Sequence, residues 1–202
     1  RFFVQNEESK RLLESIGIKE VDVVGDTRFD RVLQIKQAAK HLPICEAFRS
    51  GVATSEGNAS ASSDSSSENA AHPDYKVFVA GSSWPPDEEI FIRFFNEHKD
   101  WRLLIAPHVI AEEHLKLILS LLKDKKVVRY TQTTPEEAAK ADVLIIDCFG
   151  LLSSMYNYGD VAYIGGGFGV GIHNTLEAAV WNMPVIFGPN NKKFQEAQGL
   201  LK

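Results

Sequence analysis

The sequence predicts an α/β protein organised around a doubly wound parallel sheet, and three observations carry that prediction. After Tyr75, apolar runs of strand length recur: VFVAG (77–81), RLLIAP (102–107), KVVRY (126–130), DVLIID (142–147), DVAYIGG (160–166) and PVIFGP (184–189). Each run leads into a polar or glycine-containing loop and then a stretch with helical spacing, the pattern of repeated βαβ units. Right-handed crossovers then force the strands parallel, with helices on both faces. Ligands of such sheets sit beyond the carboxyl ends of the strands, so the loops leaving those ends are where chemistry is expected.

Taken in order, residues 1–29 read as a small α/β unit: a strand at Phe2 to Val4, a helix from Glu7 to Ser15 ended by Gly17, and a strand at Val21 to Val24 leading into GDTRFD. Residues 30–49 alternate charged and apolar side chains at helical spacing and read as a connector helix, which Pro43 interrupts or ends. Residues 50–73 are rich in Ser, Asn and Gly and poor in large apolar side chains, so they bury too little surface to offset ordering entropy and are expected to form a flexible insertion. Residues 74–202 hold the regular βα pattern and form the principal domain, expected to be truncated at its carboxyl end. The chain opens on RFFVQNEES and stops at QEAQGLLK within a helical pattern, so it is expected to be part of a longer protein.

Bulk properties exclude several function classes. Of 202 residues, 44% are hydrophobic and 24% charged, which suits a globular protein with a sizeable core. A formal net charge of -5 argues against nucleic acid or an anionic bilayer as a partner of this chain, because phosphate neutralisation needs clustered Lys and Arg. Cys45 and Cys148 show neither CxxC nor Cys/His spacing, so no disulfide framework or zinc site is expected, and a reducing cytoplasm fits. No apolar run approaches the roughly 18 residues that span a bilayer. HExxH, GxSxG and DxD patterns are absent, so no metal site is expected.

The most informative loop is YIGGGFGVGIHNTLEAAV (163–180), where a strand runs into Gly165, Gly166, Gly167, Gly169 and Gly171 and then a helix expected to start near His173 or Asn174. Glycines let backbone approach a ligand closely, and helix N-terminal amides favour a phosphate. The spacing fits neither GxGxxG nor GxxxxGK[ST], which disfavours a dinucleotide enzyme or a P-loop NTPase. Glu177, in the first helical turn, either complements the helix dipole or accepts hydrogen bonds from a ribose. His173 can donate to a phosphate or sugar oxygen, and Asn174 can cap the helix or touch the ligand. In DCFGLLSSMY (147–156), Gly150 permits a tight bend before a helix, or the segment is an ordinary βα loop. In GSSWPPDEE (81–89), Ser82 or Ser83 is a phosphate donor or an N-cap, and the prolines and acids mark a helix start. APH (106–108) turns Pro107 and His108 toward the same crevice. In GPNNKKF (188–194), Lys192 and Lys193 balance a ligand's charge or are simply solvated.

Read together, GDTRFDRV, VAGSSWPPDEE, IAPH, IIDCFGLLSSMY, GGGFGVGIHNTLEAAV and PVIFGPNNKKFQEA resemble, in the same order, 3-deoxy-D-manno-octulosonic acid (Kdo) transferases. The resemblance covers nearly the whole chain outside the Ser-rich insertion. It implies a Rossmann-like doubly wound parallel sheet forming the C-terminal half of a GT-B glycosyltransferase, with residues 1–29 the tail of the N-terminal acceptor domain. It implies transfer of Kdo from CMP-Kdo to a lipid A precursor in lipopolysaccharide biosynthesis, with no metal or cofactor in the transfer step. CMP is then expected against Pro107 and His108, against Phe149, Gly150 and Leu151, and against Asn174, Thr175, Leu176 and Glu177, with Ser82, Ser83, His173 and Lys193 as further candidates. The family's catalytic base is a glutamate of the N-terminal domain, so no catalytic residue is expected here, and the chain alone is expected to bind donor weakly and not to transfer sugar. The lipid acceptor, contact with the membrane surface and a place at the cytoplasmic face of the bacterial inner membrane are implied for the full-length protein only. Two alternatives stand beside this reading: a UDP-sugar-dependent GT-B domain, and a noncatalytic α/β nucleotide-binding or interaction domain whose glycines are only turns.

Overall fold

The computed structural model of the chain describes residues 1–26, 28–52 and 75–201. The expected flexible insertion, 50–73, falls outside the described residues except at its first three positions. The chain divides into two compact units, Arg1–Ala38 and Ala39–Lys202.

In the first unit, β1 (Phe2–Val4) and β2 (Val21–Val23) pair in parallel, with Phe2 opposite Val21 and Val4 opposite Val23. Between them runs α1 (Glu7–Ser15), whose N-cap Asn6 accepts from the Ser9 N–H at 2.8 Å. That bond satisfies one of the amides a helix start leaves unpaired. α2 (Arg28–Gln37) follows β2.

The structure differs from the single connector expected over 30–49. α2 ends at Gln37, and Pro43 opens a separate helix, α3 (Pro43–Ser50), within the second unit. Proline has no N–H to give and a φ suited to the first turn, so Pro43 starts a helix where it would have broken one. α3 buries Cys45, Ala47 and Phe48 completely.

The second unit continues through β3 (Lys76–Ser83), α4 (Pro85–Glu97), β4 (Trp101–Pro107), α5 (Glu112–Leu121), β5 (Val127–Arg129), α6 (Pro135–Ala138), β6 (Val143–Ile145), α7 (Leu152–Met155), β7 (Val161–Ile164), α8 (Leu176–Ala179), β8 (Val185–Phe187) and α9 (Gln195–Leu200). The strands form one sheet in the order β5-β6-β4-β3-β7-β8, and every pair is parallel. The predicted doubly wound parallel sheet is therefore present. Successive side chains of a strand alternate between faces, so the central strands β3, β4, β6 and β7 feed two cores. Val77, Val79, Leu104, Ala106, Leu144, Ile146, Ala162 and Ile164 pack with Phe48, Met155, Ala178 and Ala197 on one face. Phe78, Ala80, Leu103, Ile105, Val143, Ile145 and Tyr163 pack with Phe91, Ile92, Phe95, Leu115 and Ile118 of α4 and α5 on the other. Each fully buried large side chain contributes about 1.5–3 kcal/mol of transfer free energy.

The chain leaves β3 toward β4 on one side and returns to its other side with β7. The strand order reverses between β3 and β7, and the crevice between the loops leaving their carboxyl ends is where sheets of this topology take ligands.

Candidate functional site

Four loops from the carboxyl ends of β3, β4, β6 and β7 build the candidate site, and side chains sew them together. The first tie is Asp87, 1% exposed in the first turn of α4. Its carboxylate accepts from the Trp84 N–H at 3.0 Å, the Tyr163 hydroxyl at 2.7 Å and the Gly166 N–H at 2.8 Å. One buried charge thus holds the β3 loop to the start of the glycine loop, and three donors supply the partners that burial requires. Next to it, buried Glu88 accepts from the Ser83 hydroxyl and contacts the His114 Nε2, both at 2.8 Å. Burial raises the Glu88 carboxyl above its ordinary range, opposed by those two hydrogen bonds.

The glycine loop is shaped by close backbone contacts. A Cβ on Gly165 would fall 2.6 Å from the Ser83 Cα, and one on Gly167 would fall 2.5 Å from the Gly188 Cα. No residue with a side chain fits either place without a backbone shift. The Gly167 carbonyl accepts from the Asn190 N–H at 2.9 Å, and Asn190 Nδ2 donates to the Gly169 carbonyl at 2.8 Å. The turn after β8 is therefore docked onto the loop after β7.

Three aromatic rings meet at the crevice, one from each of three loops. Trp84 stacks on His108 with centroids 4.5 Å apart, and His108 stacks on His173 at 4.6 Å. The Trp84 indole Nε1 donates to His173 Nε2 at 3.1 Å. Desolvation, then the neighbouring His108, lowers the His173 pKa from its ordinary value, with Asp87 acting in the other direction. Two of the sequence candidates, His108 and His173, are thereby brought into direct contact.

On the other flank, Asn174 is exposed and its side chain serves the local backbone. Oδ1 accepts from the Leu176 N–H at 3.1 Å, and Nδ2 donates to Glu177 Oε1 at 3.2 Å. The helix dipole expected behind the glycines is reduced, because α8 starts at Leu176 and spans only one turn instead of starting near His173. Glu177 lies in that turn, half-buried, close enough to Tyr156 for its charge to raise the phenol's pKa further, after burial. Tyr156 packs against Gly81 at the end of β3, where a Cβ would meet the Tyr156 ring and Leu152. The Trp181 indole donates to the Ser153 carbonyl at 3.0 Å, fastening the segment after α8 to α7.

The remaining candidates fall as follows. Pro107 is buried at the end of β4, and Leu151 packs against the core. Phe149 is 79% exposed and Gly150 has φ +80°, so the β6 loop turns tightly and lifts an aromatic ring into solvent. Leu176 and Thr175 are buried, and the Thr175 hydroxyl finds no hydrogen-bond partner among the described residues. Ser82 is half-buried in a left-handed conformation, φ +52°, a strained one for a residue with a side chain. The Ser83 hydroxyl is already engaged by Glu88 inside the protein, so its role is to fix the loop and the expectation of a phosphate contact gives way. Lys193 is exposed on the turn after β8. Sequence reasoning passed over Trp84 and gave Asp87 only the part of a helix-start acid. The available signal was a tryptophan immediately before Pro85 and Pro86, in a loop otherwise polar.

Among the described residues, no group of three or more His, Cys, Asp or Glu is placed to hold a metal ion. No described helix is long and apolar enough to cross a membrane.

Sheet order defines the class: a Rossmann-like, doubly wound parallel α/β domain. A solved structure with this fold is the C-terminal CMP-Kdo binding domain of WaaA from Acinetobacter baumannii, with a TM-score of 0.51, 21% identity, and coverage of 63% of this chain and 68% of that one. Among curated proteins, the 3-deoxy-D-manno-octulosonic acid transferase of Aquifex aeolicus is 33% identical over 132 residues, 63% of this chain and 36% of that protein. The chain is thus a relative of the Kdo transferases, as its motifs indicated. The corresponding enzyme of Chlamydophila psittaci is 32% identical over 122 residues. A bifunctional glycosyltransferase/methyltransferase of Fusobacterium nucleatum is 33% identical over 119 residues. The match spans 36% of the Aquifex protein and 18% of the Fusobacterium protein, well under two thirds of either. No family model matches the chain.

Proposed function

We propose that this chain supplies the donor-nucleotide site of a Kdo transferase, holding the CMP portion of CMP-Kdo in the crevice between the β3 and β7 loops. The observation that carries the reading is the placement of Glu177. Asn174 steadies the carboxylate at 3.2 Å, near Tyr156, and the two oxygens of a half-buried acid suit the paired hydroxyls of a ribose. Two residues earlier, the Thr175 hydroxyl, without a partner among the described residues, has hydrogen-bonding capacity that a bound ligand would satisfy. Loop amides and the His173 ring stand where charge grows on the departing phosphate. Donors fixed in advance lower such a barrier without reorganisation.

In the full-length protein, by this reading, an acceptor hydroxyl on a lipid A precursor attacks the anomeric carbon after giving its proton to a glutamate of the other domain. The bond to CMP breaks as that attack proceeds. Transfer runs without a metal or cofactor, at the cytoplasmic face of the bacterial inner membrane, and this chain alone does not transfer sugar.

The test is calorimetric titration of the chain with CMP, UMP and UDP. CMP is expected to bind best, and Glu177→Ala to weaken it by roughly tenfold or more, the loss of a charge-assisted hydrogen bond, with an unchanged unfolding temperature. Equal CMP binding by parent and variant would refute the role of Glu177. A clear preference for UDP would instead favour a UDP-sugar enzyme, and no binding of any nucleotide a noncatalytic domain.

A further inference from the structure

We propose that Trp84 is a positioning residue of the donor site: its indole N–H fixes His173 as the neutral Nδ1–H tautomer and leaves that N–H as the hydrogen bond offered to the anionic ligand. The inference rests on the donor-site reading for its ligand and on geometry alone for its tautomer. An indole nitrogen can only donate. Because Trp84 Nε1 lies 3.1 Å from His173 Nε2, that nitrogen must be the acceptor, and the ring's single proton belongs on Nδ1. A proton on Nε2, whether in the other tautomer or in the imidazolium, would face the indole hydrogen head on.

The surroundings point the same way. His108 from the end of β4 stacks on one face of the ring, so protonating both imidazoles would set like charges 4.6 Å apart. Asp87 at the start of α4 favours the charged form, and it ranks below burial and His108 in its effect. On the ring's own segment, from Gly165 through α8, the only other ionisable group is Glu177 in the first turn of α8, and its carboxylate is bound by Asn174. The Cδ2 edge of the ring lies against Gly166, where a Cβ would approach it to 3.3 Å. The Nδ1 edge lies on the opposite side, and Nδ1 has no hydrogen-bond partner among the described residues. A neutral donor in this place offers its Nδ1–H to a phosphate or carboxylate oxygen without carrying a charge, and that N–H is too weak an acid to protonate the leaving group.

The experiment is long-range nitrogen-15 NMR of the uniformly labelled full chain, which separates protonated from bare imidazole nitrogens, with and without CMP. The parent is expected to show His173 as Nδ1–H at neutral pH, with the Nδ1 signal moving as CMP saturates. Trp84→Phe keeps a ring to stack on His108 and removes the donor, so it is expected to give mixed tautomers and a raised His173 titration. A second pair covers the case in which Trp84→Phe fails to fold. The amide of Asn reaches the place of Nδ1 and that of Gln the place of Nε2, so His173→Asn should retain CMP binding and His173→Gln should lose roughly tenfold. An Nε2–H or doubly protonated ring in the parent, or equal losses from Asn and Gln, would overturn the proposal. So would CMP saturation that leaves the Nδ1 signal still. If CMP fails to bind while the tautomer is as stated and responds to Trp84→Phe, the donor-site reading falls and the part of Trp84 in setting the tautomer stands.

Discussion

The His173 imidazole ties function to stability through its protonation. Burial and His108 hold its folded pKa below the ordinary 6.5, so folding favours the neutral ring. A depressed value contributes stability that is fully present above the unfolded pKa and is lost as pH falls through the folded one. Urea unfolding of parent and His173→Asn should therefore differ most above about pH 6.5, and the gap should narrow at lower pH. A gap that widens on acidification would contradict the assigned direction. At this scale the sequence marked Glu177 and His173 as candidates, and the structure sets the His173 ring against His108 and Trp84. Trp84 was not legible as one, since a tryptophan before two prolines marks a loop residue but not that its indole reaches a histidine of another loop. Ser83 misled for the converse reason: a hydroxyl after a strand has the same appearance whether it faces a ligand or a buried carboxylate.

Among elements, the strands were the easiest to read because the central ones are buried on both faces, which makes them continuous apolar runs. The helix behind the glycines was expected to start too early, near His173, whereas the Asn174 side chain accepts from the Leu176 N–H and α8 begins only at Leu176. α3 was misread as connector, since Pro43 breaks a helix only if one is already under way. The loops after β7 and β8 act as one element, pressed together where Gly167 meets Gly188. Gly167→Ala must push those backbones apart. It is expected to cost about 1–3 kcal/mol, as overpacking does, and to weaken CMP binding as well, read from urea midpoints and calorimetry on the same samples. Unchanged stability would show the contact to be looser than described.

Over the whole molecule, every candidate contact with donor falls in the second unit, Ala39–Lys202, which has its own two-faced core. A chain reduced to residues 39–202 is expected to unfold in a single cooperative transition and to bind CMP within about twofold of the full chain, since domains with their own cores fold alone. Loss of either property would mean that the first unit completes the fold. The whole-molecule architecture was legible from the rhythm of strand, loop and helix, whereas the boundary near Ala38 was not, because helical spacing runs on across it. The Asp87 carboxylate has one more consequence. With both lips of the crevice already stitched to one anion, nothing has to open before a nucleotide enters, so capture should proceed in a single kinetic phase whose rate rises linearly with nucleotide concentration.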